Sequence, residues 1–131
     1  MIIDDFKSFP PLGRIMGIDW GAKRVGVAVS SPDRKFVFAR ETNADILKTI
    51  SEEGIVGIVL GLPLRLDGTD SDTTRRVRKF AAELAAATLV PIVLFDESLT
   101  SFEAATGGAK NLDSESARVL LENAIAVMKR Q

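Results

Sequence analysis

The chain has 131 residues, a length that suits one compact domain and excludes duplicated architectures. Its 46% hydrophobic and 27% charged residues exclude disorder or a fibrous repeat, and a net charge of -1 excludes a global basic field, so any grip on a polyanion must be local. Cysteine and histidine are both absent, which removes disulfides, zinc sites of the Cys/His type, Ser-His-Asp triads and thiol nucleophiles, and leaves carboxylate, hydroxyl, Lys and Arg chemistry.

Residues 1–14 carry early acids and no apolar stretch of signal-peptide length, and Pro10 and Pro11 block regular pairing, so this segment reads as an extension before a domain spanning 15–131. No run reaches the ~18 apolar residues of a membrane span, and a cytoplasmic protein is expected. Residues 15–19 form an apolar run ending on an acid, and 25–31 alternate small and β-branched residues beyond the turn at 21–24. The two make a hairpin. Residues 35–42 can follow the Pro32-Asp33 turn as a third antiparallel strand.

The rhythm then changes. Ala44, Ile46, Leu47 and Ile50 fit one helical face up to Gly54, and residues 55–60 are a fully apolar strand. Residues 62–68, with Pro63 and Gly68, read as a loop at that strand's carboxyl end. Asp70 or Ser71 caps a helix with Val77, Phe80, Ala81 and Leu84 on its inner stripe, and Pro91 precedes a buried strand at 92–95. Thr100 with Glu103 reads as a capping box, Gly107 and Gly108 end that short helix, and Asp113 starts the last one. Right-handed crossovers place the later strands parallel beside the first, giving an α/β domain with a mixed five-stranded sheet flanked by helices.

Sites in such sheets lie at the carboxyl ends of the central strands, and the acids there divide as follows. Asp19 ends the first strand after Ile18, as a functional carboxylate or as a turn acid capping amides. Asp96 and Glu97 sit together at the end of the apolar strand at 92–95, one of them facing a cleft or both capping the next turn. At about 100° per residue, Ala117, Leu120, Ala124 and Met128 form the stripe of the last helix. Asp113 falls on its edge, whereas Glu115 and Glu122 fall opposite. Asp113 therefore faces the sheet, caps the helix, or does both. Three carboxylates meeting at one sheet edge would repel unless cations lay between them, and hard oxygen donors favour Mg²⁺ or Mn²⁺. Two such ions about 4 Å apart suit phosphodiester hydrolysis without histidine or cysteine.

Gly17-Ile18-Asp19-Trp20-Gly21-Ala22-Lys23-Arg24-Val25-Gly26-Val27-Ala28-Val29-Ser30, then Gly61-Leu62-Pro63-Leu64 with Asp67-Gly68, Arg76-Val77, Asp96-Glu97-Ser98-Leu99-Thr100-Ser101 and Asp113-Ser114 with Ala117 resemble the YqgF/RuvX family, across about residues 14 to 129. The resemblance implies an RNase H-like fold, kinship with Holliday junction resolvases, and a divalent-metal-dependent nuclease of the ribosome-biogenesis kind that matures the 5' end of pre-16S ribosomal RNA. It implies catalytic, metal-holding acids at Asp19, Glu97 and Asp113, with Mg²⁺ or Mn²⁺. It also implies substrate contacts at Lys23, Arg24, Leu62, Pro63, Arg76 and Thr100, and nucleic acid and the ribosome as partners of a monomer or homodimer.

Other readings of the same residues stand beside these. Lys23 and Arg24 also suit a plain exposed turn, and Arg75, Arg76, Arg78 and Lys79 a solvated helix face. Trp20 reads as packing in preference to base stacking. Ser98 stands where many family members have arginine, and residues 106–112 carry only Lys110, which lowers the expected grip on nucleic acid. The alternatives are a branched-DNA resolvase and a non-catalytic RNA- or ribosome-binding module. Asp19-Trp20-Gly21-Ala22-Lys23 also resembles the first phosphate loop of sugar kinases and actin-like ATPases, but those close two such domains around a nucleotide.

Overall fold

A computed structural model describes residues 1–3, 5–96 and 112–130, with the side chains of 112–114 also outside the described set. Its strands are β1 (Ile2–Ile3), β2 (Ile15–Trp20), β3 (Val25–Ser30), β4 (Val37–Ala39), β5 (Gly57–Leu62) and β6 (Ile92–Asp96); a 3-10 turn covers Phe6–Ser8. The helices are α1 (Ile46–Glu53), α2 (Asp72–Ala87) and α3 (Leu112–Lys129). The described strands form one sheet of six in the order β1-β6-β5-β2-β3-β4. β2, β5 and β6 run parallel, and β2, β3 and β4 antiparallel.

The expected mixed sheet is present, with the α/β layering and RNase H-like order. It carries one strand more than the five expected. Ile2–Ile3 pairs in parallel with Ile92 and Val93, upstream of the prolines, where nothing prevents backbone pairing. The segment read as an extension also buries Phe6 and Phe9 among the core residues. A Cβ at Gly57 would sit 2.9 Å from the Phe9 ring, so a glycine in β5 makes room for that aromatic.

Alternation sorts the sheet's side chains into two layers. Ile15, Val59, Val93 and Phe95 face α3, where Ala117, Leu120, Leu121 and Ala124 cover them. Met16, Ile18, Val27, Val29, Ile58, Leu60 and Leu62 face α2, under Val77, Ala81 and Leu84. Helix ends follow the expected chemistry. The Asp45 carboxylate accepts from the Lys48 amide at 3.1 Å, and Gly54 closes α1 in the left-handed region at φ 65°. Ser71, of the two candidates, caps α2, in a capping box with Thr74.

Some boundaries differ. β5 extends through Leu62, so the loop begins at Pro63. β4 holds three residues, because Asn43 turns the chain back, its side chain and backbone both bonded to Val25. Leu47 lies outside the α1 face assigned to it and is exposed, as are Phe36 and Phe38. α3 starts at Leu112, which puts the backbone of Asp113 in the helix's first turn.

Candidate active site

Parallel pairing sets the depths of the acids. Ile18 is level with Leu60, and Leu60 with Leu94; the next row begins with Asp19 and continues through Gly61 and its partner Phe95. Asp19 thus stands at the carboxyl end of a central strand, half-buried, on the face that packs against α3. That face is unusually open to the helix: a Cβ at Gly17 would lie 2.8 Å from Leu121 Cβ and 3.1 Å from the Ala117 carbonyl oxygen. Glycine lets α3 cross β2 almost in backbone contact two residues before Asp19. Asp113 lies one helical turn before Ala117 on that helix.

Asp96 pairs with Leu62, and alternation from Phe95 puts it on the α2 face, opposite Asp19. Glu97 and Thr100 lie outside the described residues, as does the Asp113 side chain. Among the described residues no group of three acids is close enough to hold a metal ion. The donors nevertheless suit a hard cation: Asp19 offers a half-buried carboxylate, and the chain has no histidine or cysteine to select zinc.

The surroundings of Asp19 are built by the hairpin and by the loop after β5. Trp20 pairs with Val25, leaving residues 21–24 as the turn. A Cβ at Gly21 would come within 2.7 Å of the Arg24 carbonyl oxygen, so the turn closes tightly and holds Lys23 and Arg24 exposed beside the strand end. Trp20 itself packs on Phe80, ring centroids 6.3 Å apart, in line with the packing reading. Leu62 is buried under α2, and Pro63 is half-buried. The Pro63 carbonyl accepts the hydroxyl of fully buried Thr74 at 2.5 Å, and that hydroxyl oxygen also accepts the Ser71 amide at 3.0 Å. One side chain thereby caps α2 and pins the loop. Farther out, the Asp67 carboxylate accepts the Thr69 amide at 3.0 Å and its hydroxyl at 2.6 Å, and these bonds hold its pKa below the ordinary carboxylate value.

The basic group on α2 divides. Arg78 grips Asp70 at 2.7 and 3.1 Å, lowering the carboxyl's pKa and raising its own, and Arg75 pairs with Asp72. Arg76 and Lys79 are exposed and make no ion pair among the described residues. On α3, Glu115 and Glu122 both bind Arg118, at 2.8 and 2.5 Å, so they belong to the outer face as expected. Sequence reasoning missed two positioning residues, Asn43 under the hairpin and Thr74 under the loop. Asn43 sits at φ 60°, a conformation asparagine tolerates, and Thr74 was legible only as the third residue after a serine cap.

The sequence profile of the family described as "RuvX: Holliday junction resolvase" matches residues 13–127. The chain belongs to the RuvX family. Among its relatives, the "Putative pre-16S rRNA nuclease" of Maridesulfovibrio salexigens is 42% identical, over 86% of this chain and 98% of that protein. Proteins of the same name from Bradyrhizobium diazoefficiens and Sphingopyxis alaskensis are 38% and 37% identical, covering 76% and 97% of this chain and 68% and 95% of their own lengths. Of the described residues that carry the resemblance, Asp19 and Asp96 end β2 and β6, Lys23 and Arg24 lie in the hairpin turn, Pro63 to Gly68 follow β5, and Arg76 and Val77 lie in α2. No helix among the described residues is long and apolar enough to cross a membrane.

Proposed function

We propose that this chain is a divalent-metal-dependent endonuclease that hydrolyses phosphodiester bonds of pre-16S ribosomal RNA at its 5' end, in the cytoplasm and on pre-ribosomal particles. The observation that carries the reading is Asp19, a half-buried carboxylate at the end of a central strand, on the face that α3 approaches across Gly17. Family membership and the names of the relatives supply the substrate class.

Asp19 and Glu97 are assigned as holders of Mg²⁺ or Mn²⁺, and Asp113 completes the site and orients the attacking water. The position of Asp96 on the opposite face from Asp19 favours its neighbour in sequence as the second ligand. The ion, when bound, supplies charge stabilisation at the phosphate and makes water more acidic. Lys23 and Arg24 neutralise backbone phosphates at the hairpin, and Arg76 does so from α2. The loop from Pro63, held by Thr74, forms the other wall, with Leu62 supporting it from beneath and Thr100 contacting substrate. These contacts position the strand and leave base identity largely unread.

A second reading, cleavage of four-way DNA junctions by a symmetric homodimer, is favoured by the family's description as resolvases. The test compares wild type with Asp19→Asn on single-stranded RNA, on duplex ends resembling pre-16S rRNA and on four-way DNA junctions, with Mn²⁺, with Mg²⁺ and under chelation. The expected result is Mn²⁺- or Mg²⁺-dependent cleavage of the rRNA substrate that falls to background in Asp19→Asn while RNA binding persists. Cleavage surviving chelation or the substitution would overturn the assignment. Preferential cutting of junctions would transfer it to the second reading, and tight RNA binding by wild type with no cleavage would leave a binding module.

A further inference from the structure

The end of the sheet opposite Asp19 carries a groove that the nuclease reading does not use. The C-terminal half of α3, the chain from Phe6 to Pro11 and the β3–β4 turn enclose a cavity of about 390 Å³, floored by Phe6, Phe9, Ile125 and Met128. A neighbouring hollow of about 230 Å³ shares Arg34, Ile125 and Lys129 with it, so the two continue each other along α3.

The rim carries more positive than negative side chains. Lys7, Arg34 and Lys129 border the first hollow and Lys35 the second, and none of the four forms an ion pair among the described residues. Arg34 donates only to the neutral carbonyls of Gly13 at 3.0 Å and Pro10 at 2.6 Å, from a backbone at φ 62°, a region that disfavours arginine. Two acids line the hollows as well. Asp33 accepts from the Ser31 hydroxyl at 2.7 Å and the Lys35 amide at 3.1 Å and offsets part of the Lys35 charge, and Glu122 is held by Arg118.

Two features separate this surface from a nucleic-acid track. Phe6 and Phe9 are only 8% and 7% exposed, so they offer no ring face for a base to stack on. Glu115 and Glu122 share the single Arg118, so α3 is net negative from the edge of the second hollow toward the Asp19 end, a stretch that a continuous polyanion reaching Asp19 would have to cross.

We propose that this groove docks an acidic segment of a partner protein, which seats one large apolar side chain against Pro10, Pro11 and half-buried Met128 and sets carboxylates against Lys7, Lys35 and Lys129. An apolar anchor ringed by complementary charge is the common anatomy of a small recognition pocket.

The test is a selection of random peptides displayed on phage against the purified full chain. Selected peptides should carry Asp or Glu around a single Leu, Met, Phe or Trp. Their affinity should fall with added salt and drop about tenfold or more in Lys7→Glu/Lys35→Glu/Lys129→Glu, as expected when rim charges are reversed. Met128→Ser should weaken binding but leave the salt dependence intact. Thermal melts check that both variants fold, and Mn²⁺-dependent RNA cleavage should be unchanged in both, so a failure here and a failure of the nuclease reading are told apart. Peptides without an acidic consensus, affinity indifferent to the triple variant, or displacement of the peptide by single-stranded RNA would each overturn the proposal.

Discussion

Gly17 shows how a residue without a side chain fixes the place of a candidate functional one. Its missing Cβ is what lets Leu121 and the Ala117 carbonyl approach β2, and the closeness of α3 to the strand brings the turn containing Asp113 toward the level of Asp19. Gly17→Ala forces the helix outward and should lower stability by about 1–3 kcal/mol, the usual effect of overpacking, measured by urea denaturation, with cleavage reduced beyond what the stability loss accounts for. Asp19 was legible in the sequence because a charge interrupts a run that burial would keep apolar. Gly17 was legible only as part of a motif, since its reason is a contact with a helix a hundred residues later in the chain. Thr74 is similar: fully buried, it bonds Pro63 and Ser71 at once. Thr74→Val leaves two part-buried polar groups short of a partner and should cost about 1 kcal/mol, together with a raised KM for RNA, because the loop it pins loses its anchor.

At the scale of elements, local chemistry was the readable part. Gly54 marked one helix end and Asp70 or Ser71 another, because caps act over three or four residues, whereas the Asp45 cap emerged only in the structure. The outward turn of Leu47 and the shortness of β4 were not readable, because they depend on what packs opposite. The loop and the start of α2 also carry an electrostatic signature. Hydrogen bonding to Arg78 holds the Asp70 carboxyl below its ordinary range, and the Thr69 hydroxyl does the same for Asp67. A depressed carboxyl pKa means the folded state favours the charged form. The resulting stability is complete above the unfolded value of about 4 and is lost as pH falls through the lowered folded value. Melting temperatures should therefore drop in acid from about pH 4 downward, and the drop should be smaller in Asp70→Asn, whose amide has no proton to gain. Both groups are exposed enough that the effect is a modest one.

At the scale of the whole molecule, the α/β order and the mixture of parallel and antiparallel strands followed from hydrophobic rhythm. The contribution of the first residues did not follow. Two prolines dominate the reading of that segment, yet Phe6 and Phe9 on its near side are core residues, with Phe6 also against Phe95 at 5.9 Å between ring centroids. Phe6→Ala should destabilise the domain by about 3–5 kcal/mol, the range for losing a buried phenylalanine, and calorimetry should show one cooperative transition at a lower temperature. Both edges of the sheet are short, two residues in β1 and three in β4, which leaves little backbone open to pairing with a neighbour. The pairing of Ile2 with Ile92 has a temporal side. During synthesis β1 leaves the ribosome about ninety residues before β6, its neighbour among the described strands, so Ile2 and Ile3 stay unmatched until that later stretch has emerged.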